Sequence, residues 1–341
     1  MKHILNESPV KTTNNFRINN IEVDLDLNLD YKFGSYEFID FENINITEDE
    51  SQIYKSAIGL THDKYKKLNI TVDKNRSSDK TVIIKYRSID SKSIIDEINF
   101  NLEEESKLNV LLIYKLNNDE IHDGSINIYL KDKASLNLTV INESSTKNVN
   151  IQDFNSNLTS NSNLKINVID FYGSKRIYRS NGISDYRSSN NINMIFAGKS
   201  DELIDINFAL SNKGKHSKNN INVEGCLFDK SNKHFKGTID FLEGSDSSIG
   251  KEKERTLLLS NDAVSKSLPI MLCHEENVEG SHAVSTGKPD LEKLFYLQSR
   301  GISYNDALNM MIKANFSFIL KEVPEDISEY VETFINTYFD K

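Results

Sequence analysis

The sequence predicts a mainly β protein, a right-handed parallel β-helix core with a C-terminal α-helical tail. Three observations carry this. No proline lies between Pro9 and Pro269, and proline cannot donate to a sheet ladder. Short segments of alternating apolar residues recur across that span at a near-constant interval, the mark of stacked repeats. After Pro289 the apolar spacing lengthens to three and four residues, which is the helical period.

Taken in order, 21–31 (IEVDLDLNLDY) alternates throughout, with Ile21, Val23, Leu25, Leu27, Leu29 and Tyr31 on one face. That predicts a half-buried strand. Residues 21–50 hold ten acids against one lysine, read as a solvated outer face or, alternatively, a surface for a basic partner. From about residue 80 the repeat begins: TVIIKY (81–86), SKLNVLLIY (106–114), ASLNLTVIN (134–142), SNLKINVID (162–170), NNINMIFAG (190–198) and NNINVEGC (219–226). Leu108, Leu136, Leu164, Ile192 and Ile221 are spaced 28, 28, 28 and 29 residues apart and are expected to form one column inside the rod. A looser series, VNIQDF (149–154), KRIYRS (175–180), LIDINFAL (203–210) and FKGTIDF (235–241), starts at intervals of 26, 28 and 32. Two strands per coil would stack at about 4.8 Å per coil, giving about six or seven coils around a dry apolar bore. An antiparallel sandwich is the second reading; it does not require a constant register.

The tail reads as three helices. In DLEKLFYLQSR (290–300), Leu291, Leu294, Phe295 and Leu297 share a face, with Asp290 as N-cap and Gly301 as the stop. Ser303 opens a second helix running to Lys321, with Asp306 in a capping-box-like position and Ala307, Leu308, Met311, Ile312 and Ile319 apolar. Pro324 begins a third, with Ile327, Tyr330, Val331, Phe334 and Ile335 on one face. Such faces are buried against the rod, each other or a partner. The expected division is an N-terminal segment (1–75), a β-helix core (76–285) and a helical domain (286–341).

The formal net charge of −10 argues against a nucleic-acid surface. No run of 18 apolar residues suggests a membrane span, and the start MKHILNESPVKTT has no apolar signal core. Two cysteines, Cys226 and Cys273, point to a reducing, cytoplasmic setting without a disulfide framework. There is no phosphate loop, G-x-S-x-G, H-E-x-x-H or C-x-x-C, and no carboxylate pair stands out for acid–base work. The chain is therefore expected not to be an enzyme; a carbohydrate-active β-helix enzyme is the rival from another class.

One constellation is dense: Cys273, His274, Glu275, Glu276, Glu279 and His282. His282, in a small-residue loop, reads as a catalytic base, a metal or cluster contact, or a structural histidine. Cys273 and His274 face opposite ways on a strand, so Cys273 reads as a small core residue rather than a ligand.

The stretches RTLLLSNDAVSKSLPIML (255–272) and SHAVSTGKPDLEKLFYLQSRGISYNDALNMMI (281–312) resemble the SufB/SufD family of iron–sulfur cluster assembly proteins, and FKGTIDF extends the resemblance upstream. It looks like the SufD type: Glu254 stands where the SufB type carries a cysteine, and Ala283 where it carries a glutamate. Gly280 stands where many SufD-type chains have a cysteine. The resemblance implies a non-catalytic scaffold that pairs with a SufB-like β-helix subunit and docks a SufC-like ATPase through its helices. It implies no cofactor held tightly by this chain alone, and a transient cluster at the subunit interface with His282 as the candidate contact. Leu294, Tyr296, Arg300, Ala307, Leu308 and Met311 are the partner-binding residues expected on that basis. An autonomous homodimeric scaffold is the remaining alternative.

Overall fold

The computed structural model describes residues 2–8, 11, 18–24, 35–40, 42, 44–55, 61–78, 80–87, 93–117 and 119–340. The chain forms a β-solenoid of about eight turns followed by helices. One nine-stranded sheet runs in the order β3 (Ser35–Ile39), β6 (Val82–Arg87), β8 (Lys107–Lys115), β10 (Ser135–Asn142), β12 (Asn163–Asp170), β14 (Ser189–Gly198), β16 (Lys218–Leu227), β18 (Ile249–Leu258), β20 (Glu279–Gly287). The facing sheet runs β4 (Asn45–Lys55), β5 (Thr61–Val72), β7 (Ser93–Leu102), β9 (Ile121–Leu130), β11 (Val149–Leu158), β13 (Lys175–Ser184), β15 (Leu203–Asn212), β17 (Asn232–Phe241), β19 (Val264–Cys273). Each coil gives one strand to each sheet, and pairing within the coils is parallel. At the first coil, β3 pairs antiparallel with β6 and β4 with β5, and these strands terminate the two sheets.

The register departs from the uniform 28-residue column. Leu136 stacks on Leu108 and on Leu164, but Leu164 stacks on Asn190, and Ile192 on Ile166. Two residues are missing from that coil. An even deletion preserves which side chains point inward, so all five expected residues remain buried while belonging to two columns. The looser series is more regular than its motifs imply, because Leu203 pairs with Asn232, 29 residues on.

The corner from the second sheet back to the first recurs from coil to coil, while the two-residue shortening falls at the opposite corner, between β12 and β13. Glu105, Lys133, Asn161, Arg187, His216 and Ser247 each adopt positive φ, and each precedes a buried small residue: Ser106, Ala134, Ser162, Ser188, Ser217 and Ser248. The Ser106, Ser162 and Ser188 hydroxyls donate to the carbonyls of Glu103, Thr159 and Asp185 at 2.6, 2.6 and 2.7 Å. The left-handed residue turns the chain, and the hydroxyl adds a second bond to a carbonyl that already accepts the same serine's amide. The asparagines form ladders: Asn155 donates to Asn127 at 3.1 Å and Asn127 to Asn99 at 2.9 Å, while Asn193 donates to Asn167 and Asn167 to Asn137 at 3.0 Å each.

The bore is not uniformly dry and apolar. His122, with no exposed surface, places Nε2 3.2 Å from Asp96 Oδ1 and Nδ1 2.6 Å from Asn150 Oδ1. Asn150 donates to the Tyr178 hydroxyl at 2.7 Å. Arg176, equally buried, bridges Asp170 at 3.4 Å and Glu202 at 2.8 Å. Pairing keeps these groups tolerable in low dielectric.

The helices α1 (Leu291–Ser299), α2 (Tyr304–Phe316) and α3 (Glu325–Phe339) cover the outer face of the first sheet. Leu111, Ile141, Ile169 and Ile195 there meet Leu308, Ile312, Ile319 and Val331 in one buried cluster. Asp290 accepts from the Glu292 and Lys293 amides, and Ser303 from the Asp306 amide. The second helix is shorter than expected, because Ser317–Lys321 is a 3-10 turn. Asp326 accepts from the Thr81 amide at 2.8 Å and its hydroxyl at 2.6 Å, and Lys165 meets Glu322 at 2.8 Å, pinning the tail to the rod.

At the N-terminus β1 (Lys2–Leu5) and β2 (Ile21–Asp24) form an antiparallel ribbon. Leu5, Ile21 and Val23 pack on Ile151 and Ile177 of the second sheet. The remainder of the expected 21–31 strand lies outside the described residues.

Candidate functional site

The two sheets end differently at their two ends. Antiparallel strands close the N-terminal end, whereas β19 and β20 are bare parallel edges. Their inward-facing positions follow from register. Ser265, Ser267, Pro269, Met271 and Cys273 stack over Lys233, Phe235, Gly237, Ile239 and Phe241. Gly280, His282, Val284 and Thr286 stack over Gly250, Glu252, Glu254 and Thr256. In an earlier coil such side chains would be core. Here every residue of β20 is exposed, because no further coil among the described residues stacks on it.

This placement corrects two expectations. His282 lies within strand β20, not in a loop. Cys273 points inward over Phe241 yet is exposed, since nothing among the described residues stacks on it. His274 follows the strand, with Nε2 3.7 Å from Asp240 Oδ1. The structure therefore does not gather Cys273, His274 and the nearby acids into one centre. Among the described residues no three His, Cys, Asp or Glu side chains form a metal-binding group.

Beneath the open coil is a charged layer. Lys233 and Glu254, both fully buried, pair at 2.7 Å across the bore. Lys233 also donates to Ser267 at 2.9 Å, and Ser267 to Glu254 at 3.0 Å. The Thr256 hydroxyl also donates to Glu254. Burial lowers the Lys233 ammonium below its usual range, with Glu254 opposing.

Glu252 is different. It is 3% exposed, and neither carboxylate oxygen has a hydrogen-bond partner among the described residues. A Cβ on Gly237 would lie 2.3 Å from its Oε1, so the carboxylate reaches across the bore into space that only glycine leaves free. Burial, with Glu254 beside it, pushes its carboxyl up to about 8. Its column reads Leu138, Ile166, Ile192, Ile221, Glu252, His282: four aliphatic residues, a carboxylate, and an exposed imidazole at the mouth.

Of the six expected partner-binding residues, Leu294, Ala307 and Leu308 are buried within this chain, and Met311 is half-buried. They hold the tail to the rod. Tyr296 and Arg300 are exposed and stack on each other, guanidinium to ring centre 5.3 Å. Around them Leu291, Phe295, Tyr304 and Met310 are also exposed. Sequence inspection did not single out Glu252 or Lys233. The available signal was GKEKERT (250–256), where an inward-facing strand position carries an acid once the register is counted.

A domain described as "SUF system FeS cluster assembly, SufBD core domain" matches residues 86–315. The iron–sulfur cluster assembly protein SufD of Bacillus subtilis (strain 168) is 28% identical over 130 residues, 38% of this chain and 30% of that protein. The protein of the same name from Escherichia coli (strain K12) is 33% identical over 98 residues, 29% and 23% of the respective chains. An iron–sulfur cluster assembly SufBD family protein of Archaeoglobus fulgidus is 32% identical over 75 residues, 22% and 20%. The matched stretch thus spans less than a third of each of these relatives. With the core domain matched over well more than half its length and a solenoid to carry it, the chain belongs to the SufBD family of the SUF iron–sulfur cluster assembly system.

Proposed function

We propose that this chain is a non-catalytic scaffold subunit of a cytoplasmic iron–sulfur cluster assembly complex. Its open solenoid end pairs with a SufB-like subunit, and the exposed face of its helices docks a SufC-like ATPase. The supporting observation is the pair of bare edges at β19 and β20. Unpaired strand edges are templates for another sheet, and these present inward-type residues, His282 among them, that a second solenoid would cover. The exposed Leu291, Phe295, Tyr296 and Tyr304 exceed what a solvated helical face needs and supply the second surface. The described helices are too short and polar to cross a membrane.

Co-expression of this chain with a SufB-like chain and the ATPase, followed by purification and iron and sulfide analysis, tests the reading. A stable complex that holds a cluster is expected. A chain that stays alone in the presence of both partners overturns it. A self-associated species by light scattering, unchanged by the SufB-like chain, would favour the homodimeric scaffold instead.

A further inference from the structure

We propose that the gap between α3 and the outer face of the first sheet is a binding site for a small organic anion with a flat, apolar body. The gap has a physical origin. The helix seats Ile327, Val331, Ile335 and Tyr338 against the rod. Beneath it Ile113, Ile141, Ile169 and Ile195 form one outward column across β8, β10, β12 and β14. On β6 that column begins instead with Lys85. Two residues further along the strands, Lys115 and Glu143 replace the aliphatic pair, and the Glu143 amide still bonds the Tyr114 carbonyl, so the acid stands beside the lysine. Apolar seating stops there, and the flank of α3 that carries Tyr330 and Phe334 overhangs the strand ends. Two cavities of about 380 and 480 Å³ open at this place and share Lys115, Glu143 and Tyr330. Small-molecule sites fall in this size range.

The charge of the first cavity selects an anion. Lys85 pairs in register with Ile113, two residues before Lys115, which places the two lysine Cα atoms about 8 Å apart. Both ammonium groups therefore reach a single anionic group. Neither lysine has an ion-pair or hydrogen-bond partner among the described residues. The one acid between the cavities, Glu143, accepts a hydrogen bond from the Tyr330 hydroxyl. Burial and that bond raise the Tyr330 pKa, so the hydroxyl stays a donor. Two free cations thus face one occupied acid, in a chain whose formal net charge is −10.

The second cavity selects the body. Tyr172 and Phe334 line it, with rings edge to face and centroids 6.2 Å apart, an arrangement that receives a flat ring or chain. From Lys85 on β6 to Tyr172, just past β12, is three strand spacings, about 14 Å. An inorganic anion would meet the lysines and leave the aromatic end unused. A molecule with a carboxylate, sulfonate or phosphate at one end and an apolar ring at the other meets both. This site does not depend on the assembly reading: β14, β16 and β18 separate β12 from the bare edge at β20.

The experiment uses the purified full chain without partners and 8-anilinonaphthalene-1-sulfonate as the probe, followed by its fluorescence and by calorimetry. Saturable binding of one equivalent is expected, with sulfate alone displacing it poorly. Lys85→Met and Lys115→Met keep the length of the stem and are expected to melt as the wild type does, while each weakens binding about tenfold or more. Glu143→Gln removes the like charge but keeps an acceptor for Tyr330, and is expected to tighten binding severalfold. Phe295→Asp, on the exposed face of α1, is the control and leaves binding unchanged. Absence of saturable binding to the wild-type chain overturns the site. So does wild-type affinity in both lysine variants, or weaker binding in Glu143→Gln. Loss of binding in Phe295→Asp alone places the probe on the tail and overturns it equally. A chain that binds the probe as expected yet joins no SufB-like complex keeps this site and loses the assembly reading.

Discussion

Lys233 and Glu254 meet at 2.7 Å with no exposed side-chain surface on either, one coil below the open end of the rod. Removing one partner leaves the other charged and unpaired in low dielectric, which costs about 3–5 kcal/mol. Lys233→Met and Glu254→Gln are each expected to lower stability in chemical denaturation. The double variant is expected to lose less than the sum of the two. Strict additivity would show that the charges do not interact in the folded chain.

The coil that carries residues 166 to 192 is two residues short, so Lys165 pairs with Asn191 rather than with Asn193. In a chain with Cys273 replaced by serine, Lys165→Cys with Asn191→Cys is expected to oxidise to a disulfide, since adjacent strands fall within bonding range. Lys165→Cys with Asn193→Cys is not. The reverse result, read by non-reducing electrophoresis and mass spectrometry, would restore the uniform 28-residue repeat.

Leu136 is fully buried and Asn137 faces the 3-10 turn, donating to the Glu322 carbonyl at 2.9 Å. Leu136→Asp places a charge in the bore and is expected to unfold the chain. Asn137→Asp forfeits one donor and sits beside a carbonyl, so it is expected to cost about 1–3 kcal/mol rather than nothing. Melting curves of the two distinguish the faces of the strand.

His122 supplies the pH dependence. Burial opposes its charge, but the Asp96 charge and the hydrogen bonds accepted by Asp96 and Asn150 outweigh burial and raise its pKa, with Asp123 adding. Tyr114 stacks on the ring, centroids 4.1 Å apart, and Tyr36 and Tyr114 both donate to Asp96. A raised imidazole stabilises the fold fully below its unfolded pKa of about 6.5, and that stability is lost as pH rises through the folded value. Stability of the wild type is expected to fall over that window, and His122→Gln is expected to flatten this component. An unchanged slope in the variant would assign the dependence to another group.

On the tail, burial separates two kinds of residue that share one helical pattern. Leu308 is buried and Phe295 is 73% exposed. Leu308→Asp is expected to lower stability by about 3 kcal/mol or more. Phe295→Asp is expected to leave melting within about 0.5 kcal/mol of wild type while abolishing ATPase capture in a pull-down. Retained capture would place docking elsewhere on the chain.

Much of this architecture was legible in the sequence because it rests on local rules. Alternation marks strands, the lack of proline marks a continuous ladder, and recurrence marks stacking. Asp290 and Ser303 announced the helix starts, because a cap is a contact between near neighbours in the chain. Register was only half legible: a 26-residue coil preserves side-chain parity, so Ile192 looks correct in either column. The site was least legible. The character of Glu252 depends on what lies across the bore and one coil above, namely Gly237 and His282, residues 15 and 30 positions away. Cys273 resembles a core residue in every local respect, and it is exposed only because no further coil among the described residues stacks on it. The sequence determined that a stacked β rod with a helical tail would form. Tertiary structure decided which end stays open and which charges face one another there, because both depend on stacking between strands distant in the chain.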